Sequence, residues 1–429
     1  MRGTVRAYVS LTTVLLAVVL TYGAAVMVSR ARAAAAVPVA MQSTGNDAIV
    51  PFKIHVSDDV LTDLKVRLAR TRFPDEIDGA GWDYGTDLAY LKELVGYWKD
   101  RFDWRAQERR LNAFDQFTTN IDGLRVHFIH QRSKETNALP LLMTHGWPGS
   151  FFEYTKVIAP LTESVSHGGR REEAFHFVGV SIPGYGFSDK PRQRGYSPRR
   201  MAAINAKLMA RLGYTRYGVQ GGDWGGQISR FNALDDSAHV VGLHLNRCYA
   251  GPPRDAKDPY ADLTPAEIAR IKERAGYSAD DNGYSQIQGT RPQSLGYSLN
   301  DSPAGLAAWM IEKWRYWSDS EGDVEKRFTK DELLTNVMIY WVTQTATSSA
   351  RLYYESRKAG DGGTESRRVD VPTACAEFPK DRGLPPRRWM ERDFNLKRFT
   401  IMPRGGHFAA VEEPQLLVDD MRAFFHDLR

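Results

Sequence analysis

The chain has 429 residues, of which 42% are hydrophobic and 25% charged, a balance that supports a large buried core and excludes a disordered or fibrous protein. Its formal charge of +5 is modest for this length and no basic stripe is interleaved with aromatics, so no nucleic-acid partner is expected. Two cysteines, Cys248 and Cys375, are too few for a disulfide framework or a metal site, and no His, Cys and Glu cluster has ligand spacing, so neither a metal nor a cofactor is implied.

Arg2 and Arg6 precede an apolar stretch from about Val9 to Val28, followed by Ser29-Arg30-Ala31-Arg32 and an alanine run. A basic start, an apolar middle and small residues are the parts of a cleaved secretory signal; a retained membrane anchor is the alternative, since about twenty residues nearly suffice to span. Either way residues 1–48 stand outside the fold. The protein is expected to be secreted, or membrane-associated through that segment. From Pro51 to about Phe117, helical periodicity appears at Asp58 to Leu64 and Leu88 to Leu94. His127 and His130 follow on a strand-like stretch and read as non-ligating.

Leu139 to Thr144 is an apolar run of strand length that empties into His145-Gly146-Trp147-Pro148-Gly149-Ser150. The backbone N–H of Trp147 is placed to point at an anion, and His145 reads as a turn stabiliser rather than a base. A second apolar run, Phe177 to Ile182, closes in Pro183-Gly184-Tyr185-Gly186-Phe187-Ser188. Tyr217-Gly218-Val219-Gln220 then reads as a strand leading into Gly221-Gly222-Asp223-Trp224-Gly225-Gly226, with a helix beginning near Gln227. Small residues around one acid are what a sharp strand-to-helix turn demands, so Asp223 sits where many hydrolases carry a serine nucleophile. A carboxylate attacks saturated carbon to give an ester, so the matching substrates carry a strained or activated carbon, as epoxides and alkyl halides do. With the N–H of Trp147, that of Trp224 makes two oxyanion donors. Last, Phe399 to Met402 reads as a strand before Pro403-Arg404-Gly405-Gly406-His407-Phe408, and a helix starts at about Glu413. His407 is the candidate base.

These motifs resemble the epoxide hydrolases of the microsomal type, and the similarity runs from about Pro51 to the end. It is carried by Pro51-Phe52-Lys53-Ile54 with Leu68-Ala69-Arg70-Thr71-Arg72-Phe73-Pro74, by His145 to Ser150, and by Gly221 to Gly225. It continues in Leu299-Asn300-Asp301-Ser302-Pro303-Ala304-Gly305-Leu306, in Asn336-Val337-Met338-Ile339-Tyr340-Trp341 and in Arg404 to Ala410. The resemblance implies an α/β-hydrolase fold: a mostly parallel central sheet flanked by helices, a helical lid inserted in the core, and an N-terminal wrapping region. It implies the boundaries 49–117 for that region, 118–250 and 351–429 for the two parts of the core, and 251–350 for the lid. Trp309, Trp314, Tyr316 and Trp317 in the lid read as helical core packing with a few aromatics facing a pocket.

The implied reaction opens a lipophilic epoxide to a vicinal diol through an ester on Asp223. Tyr284 and Tyr353, with Tyr354 a one-residue alternative, would protonate the ring oxygen, and His407 would activate the hydrolytic water. The acid orienting His407 falls on Asp381, aligned through Phe378-Pro379, with Glu377 as its competitor. The partners implied are a small-molecule lipophilic epoxide and water, with membrane contact through the N-terminal segment if that segment is an anchor. Two rival readings are a haloalkane dehalogenase, which shares the Asp-Trp pair but lacks the tyrosine pair, and a non-catalytic binding protein of the same fold. The latter has no need of both Asp223 and His407.

Overall fold

The computed structural model describes residues 47–253, 256–361, 367–381 and 385–429, so the expected signal or anchor lies outside the described residues. Among the described residues, nine strands form one sheet in the order β1-β2-β3-β5-β4-β6-β7-β8-β9. They are β1 (Val50–Phe52), β2 (Gln116–Ile121), β3 (Leu124–Gln131), β4 (Leu139–Thr144), β5 (Phe175–Val180), β6 (Tyr217–Gly221), β7 (Val240–Leu245), β8 (Val369–Glu377) and β9 (Phe394–Ile401). The pairs β1–β2, β2–β3 and β3–β5 are antiparallel; from β5 through β9 every pair is parallel. Parallel strands covered on both faces are apolar throughout, and β5 is buried at all six positions. It begins two residues before the expected start, because Phe175 and His176 pair with Leu139 and Pro140.

The strand order reverses around β4. From it the chain crosses first to β5 on one side and later to β6 on the other, and in such sheets ligands bind at the carboxyl ends of the strands flanking the reversal. The loop after β4 and the turn after β6 therefore meet. Thr144 is paired with Gly221, and a Cβ on Gly146 would lie 2.4 Å from the Cβ of Asp223, so only glycine permits the approach.

Helices Gly283–Thr290, Pro292–Asp301, Pro303–Trp317, Lys330–Thr343 and Ala346–Ala359 lie between β7 and β8. Ala346–Ala359 packs on Gly283–Thr290 and Pro292–Asp301, and the sheet resumes at Val369. Ser302 caps its helix by accepting the Gly305 N–H, with Pro303 at the first turn, and Thr329 with Glu332 forms a capping box. Trp314 and Trp317 are buried in the core, whereas Tyr316 is exposed. The N-terminal helices Asp58–Ala69 and Leu88–Asp100 pack against these helices. Arg67 pairs with Asp301 at 2.7 Å, Thr86 Oγ1 donates to the Ala308 carbonyl at 2.7 Å, and the Tyr97 hydroxyl donates to Asp331 at 2.9 Å.

The cysteines require a correction. Set aside in the sequence as too few for a framework, Cys248 and Cys375 form a disulfide that ties the loop after β7 to β8. No helix among the described residues is long and apolar enough to cross a membrane.

Candidate active site

Asp223 opens helix Asp223–Asp235, four residues earlier than the sequence suggests, and holds a left-handed φ of 48° that a side chain rarely adopts. The surrounding glycines permit this turn. A Cβ on Gly225 would fall 1.8 Å from the Thr144 carbonyl oxygen, so the helix passes against the β4 backbone at a distance only glycine allows. The carboxylate thus stands at a helix N-terminus, where unpaired N–H groups gather partial positive charge.

Its two oxygens differ. Oδ1 accepts the backbone N–H of Trp147 at 2.9 Å. Oδ2 lies 3.2 Å from Arg247 Nη1 and 3.7 Å from His407 Nε2. The loop that presents Trp147, through a cis Trp147-Pro148 bond, is held from helix Lys330–Thr343. Asn336 donates to the Pro148 carbonyl and accepts from the Ser150 hydroxyl, both at 2.8 Å, and the Tyr340 hydroxyl donates to the Gly149 carbonyl at 2.6 Å. That explains why Asn336 and Tyr340 belong to the motif series. Burial pushes His145 down to about 4, and among the described residues its ring bonds only the backbone of Gly146 and Ile182, as a turn stabiliser does. His127 meets Ser181 and Gln116, and His130 meets Tyr214, so both are hydrogen-bonded within the fold.

His407 follows β9 on a braced loop. Its own N–H donates to the Trp317 carbonyl at 2.9 Å, while Glu412 accepts the N–H groups of Gly406 and Phe408 at 3.1 and 2.9 Å. Its Nδ1 meets Asp381 Oδ1 at 2.8 Å. Arg247 Nη1 also approaches Nδ1, at 3.3 Å. One nitrogen cannot accept from a guanidinium while donating to a carboxylate; the shorter, charge-assisted contact prevails, and Nδ1 carries the hydrogen. Nε2 is then the basic nitrogen, and it faces Asp223. Asp381 is 3% exposed, three residues beyond Phe378, whereas Glu377 closes β8.

Above Asp223 opens a cavity of about 420 Å³ lined by Trp224, Arg247, Tyr249, Tyr284 and Tyr353 among others. The Tyr284 ring stacks on Trp147 at 5.2 Å between centroids, and the Tyr353 ring meets Trp224 edge-on at 4.8 Å. The two tyrosine rings are 5.9 Å apart. Lys313, buried in an ion pair with Asp281, lies over the Tyr284 ring at 5.0 Å from its centroid. Tyr354 turns away from the cavity, with Lys358 over its ring.

Every sequence-derived site residue is therefore at one place: Asp223, His407, Asp381, Tyr284, Tyr353, Trp147 and Trp224. Two families of description match this chain. The model for the epoxide hydrolase N terminus covers residues 49–154, and that for the alpha/beta hydrolase fold covers residues 139–375. Epoxide hydrolase 1 of Sus scrofa is 39% identical over 88% of this chain and 89% of its own length. The chain belongs to the epoxide hydrolase family. Like its relatives it is a hydrolase that converts epoxides to diols on an α/β-hydrolase fold. Among solved epoxide hydrolases, juvenile hormone epoxide hydrolase from Bombyx mori superposes with a TM-score of 0.82 at 31% identity, covering 90% of this chain and 95% of that one. The Aspergillus niger enzyme gives 0.79 at 31% identity, covering 90% and 98%.

Two residues at this epoxide hydrolase site escaped the sequence. Arg247 lies two positions past β7, a place that parallel-sheet geometry marks as ligand-facing once the strand order is known. Burial would lower its pKa, yet Tyr249, Asp381 and Asp223 around it raise it, so it stays charged. Glu153 packs behind the oxyanion loop and shares a cavity of about 20 Å³ with Asp223 and His407. Burial, with the Asp223 charge adding, pushes its carboxyl up to about 8 against a lowering bond from the Gly146 N–H. Nothing in its sequence surroundings marks that burial.

Proposed function

We propose that Asp223 Oδ2 attacks an oxirane carbon of a lipophilic epoxide while Tyr284 and Tyr353 face the ring oxygen. The bond from Oδ2 to carbon forms, the carbon–oxygen bond of the ring breaks, and the electron pair left on oxygen takes a tyrosine proton. His407 Nε2 then removes a proton from water, and the hydroxide attacks the Asp223 carbonyl carbon. The oxyanion on Oδ1 is held by the Trp147 N–H and, at the helix start, by that of Trp224. Collapse expels the former Oδ2 as an alkoxide that takes the remaining hydroxyl proton and leaves in the diol, the water oxygen stays on Asp223 as part of its carboxylate, and the imidazolium proton returns to the tyrosinate through solvent.

The observation that carries this reading is the chain Asp381–His407–Asp223, 2.8 Å at the first link and 3.7 Å at the second, opening under two tyrosines. One water can touch both Nε2 and the Asp223 carboxyl at that spacing. Single turnover of styrene oxide in ¹⁸O-water tests it. The diol is expected unlabelled and the Asp223 peptide labelled, whereas label in the diol would mean that water attacks the epoxide directly.

The domain limits proposed are those of the family: a wrapping region from about residue 49, a core in two parts, and a helical lid over 251–350 that carries Tyr284, with Tyr353 just past its end on helix Ala346–Ala359. For localisation we propose export, with residues 1–48 as the signal and anchoring by them the alternative. The Cys248–Cys375 disulfide supports an oxidising compartment. Mass spectrometry of the mature N-terminus in membrane and medium fractions checks it.

A further inference from the structure

Arg247 is placed against the oxygen that must react. Oδ1 of Asp223 is engaged by the Trp147 N–H, so Oδ2 is the attacking atom, and Oδ2 is where Arg247 Nη1 donates, at 3.2 Å. For a neutral epoxide this is a hindrance. The hydrogen bond holds the lone pair that should attack, and once Asp223 becomes a neutral ester the guanidinium loses the carboxylate it donates to, leaving near it the buried Asp381 charge that already serves His407.

The rest of the guanidinium has no hydrogen-bond acceptor among the described residues to fall back on. Its hydrogen bond to Asp223 runs through Nη1, and the buried Nε has no partner among the described residues. Asp223 is the one acidic residue lining the cavity among the described residues, while Arg247 and Arg357 both line it, Arg357 with its side chain at the exposed end. Gln227, Ser285 and Ser356 add neutral polar groups. Alkylation of Asp223 therefore leaves two cations and no anion along the wall.

We propose that the cavity takes epoxides bearing a carboxylate close to the oxirane ring, and that Arg247 binds that carboxylate. The inference rests on the epoxide-opening reading above. A substrate carboxylate received on the cavity-facing part of the guanidinium draws Nη1 off Oδ2 and frees the nucleophile. The guanidinium screens the repulsion between that carboxylate and Asp223, and the carboxylate keeps Arg247 paired after the Asp223 charge has passed to the ring oxygen and been neutralised by a tyrosine proton. With the reacting carbon at about 3 Å from Oδ2, the carboxylate carbon must lie about one to three bonds from the ring. The favoured class is thus the 2,3-epoxy and 3,4-epoxy acids with an aryl or alkyl tail along the aromatic wall.

The test compares 3-phenyloxirane-2-carboxylate with its primary amide, a neutral near-isostere, and uses styrene oxide as the reference. Wild type is expected to prefer the acid in kcat/KM by about thirtyfold or more, and Arg247→Met to bring that ratio to about one or below, chiefly through KM for the acid. Arg247→Lys should restore part of the preference, which a purely structural role would not do. Turnover of styrene oxide with no preference for the acid in wild type would overturn this inference while leaving epoxide hydrolysis standing. So would a preference that survives in Arg247→Met. Failure to open any of the three would instead overturn the epoxide reading, and this inference with it. If Arg247→Met does not fold, the wild-type ratio and the lysine variant decide.

Discussion

Replacing Asp381 by Asn separates the two chemical steps. The carboxylate sits 2.8 Å from His407 Nδ1 and is 3% exposed, so its charge is screened by little water. The imidazolium that forms when His407 deprotonates water has its charge centre about 4 Å from that of Asp381. At an effective dielectric of about 20 their attraction is about 4 kcal/mol, or about 10³ in rate. An amide also has a donor as well as an acceptor, and if it donates to Nδ1 it leaves the hydrogen on Nε2, where no base remains. Attack by Asp223 on the epoxide uses neither property. The expected outcome of Asp381→Asn is therefore ester hydrolysis slower by about 10³, alkylation within about tenfold of wild type, and accumulation of ester on Asp223. His407→Gln should accumulate the same ester. Rapid-quench single turnover followed by peptide mapping reads both steps in one experiment. Deacylation at the wild-type rate in Asp381→Asn would refute the argument, and slow deacylation in Glu377→Gln instead would transfer the role to Glu377.

Tyr284→Phe and Tyr353→Phe should each slow alkylation by about tenfold to a hundredfold and the double change by more, because the ring oxygen then leaves without a proton; stopped-flow quenching of the site tryptophans can follow it, and unchanged alkylation in the double variant would remove both from the reaction. Glu153 imposes a pH dependence on stability. Its folded-state pKa of about 8 exceeds the unfolded 4.5, so the folded state keeps a proton the unfolded state has lost, and stability falls as pH rises between these values. Glu153→Gln should remove that slope, gaining up to about 4 kcal/mol relative to wild type by pH 8 and nothing below pH 4; urea denaturation at a series of pH values checks it, and a flat difference would show that the carboxyl is not held protonated. Reducing Cys248–Cys375, which closes a separation of 127 residues, should cost about 2–5 kcal/mol, seen as a lower melting temperature for the double serine variant with the Asp381–His407 geometry most affected.

The sequence by itself determined what is local. A strand of apolar residues, a turn that only glycines on either side of one acid can make, and a histidine on a Gly-Gly loop are each written within about ten consecutive residues. Asp223, His407 and the Trp147 loop were therefore legible as parts, and their order identified the family. What the parts touch was decided by the tertiary structure. Asp381 and Glu377 are four residues apart, and only the turn after β8 aims the former at His407. Tyr353 and Tyr354 are neighbours separated by about 100° around one helix, so the packing of Ala346–Ala359 on the lid chooses between them. Arg247 and the paired cysteines depend on β7 lying between β6 and β8 in a parallel sheet. Parallel neighbours are joined by long crossovers, here with the whole lid between β7 and β8, and no periodicity along the chain records which residues such a crossover brings together. The burial of Glu153 has the same origin: its surroundings are the backbone of another loop turn and the nucleophile of another strand, which the chain specifies only once it has folded.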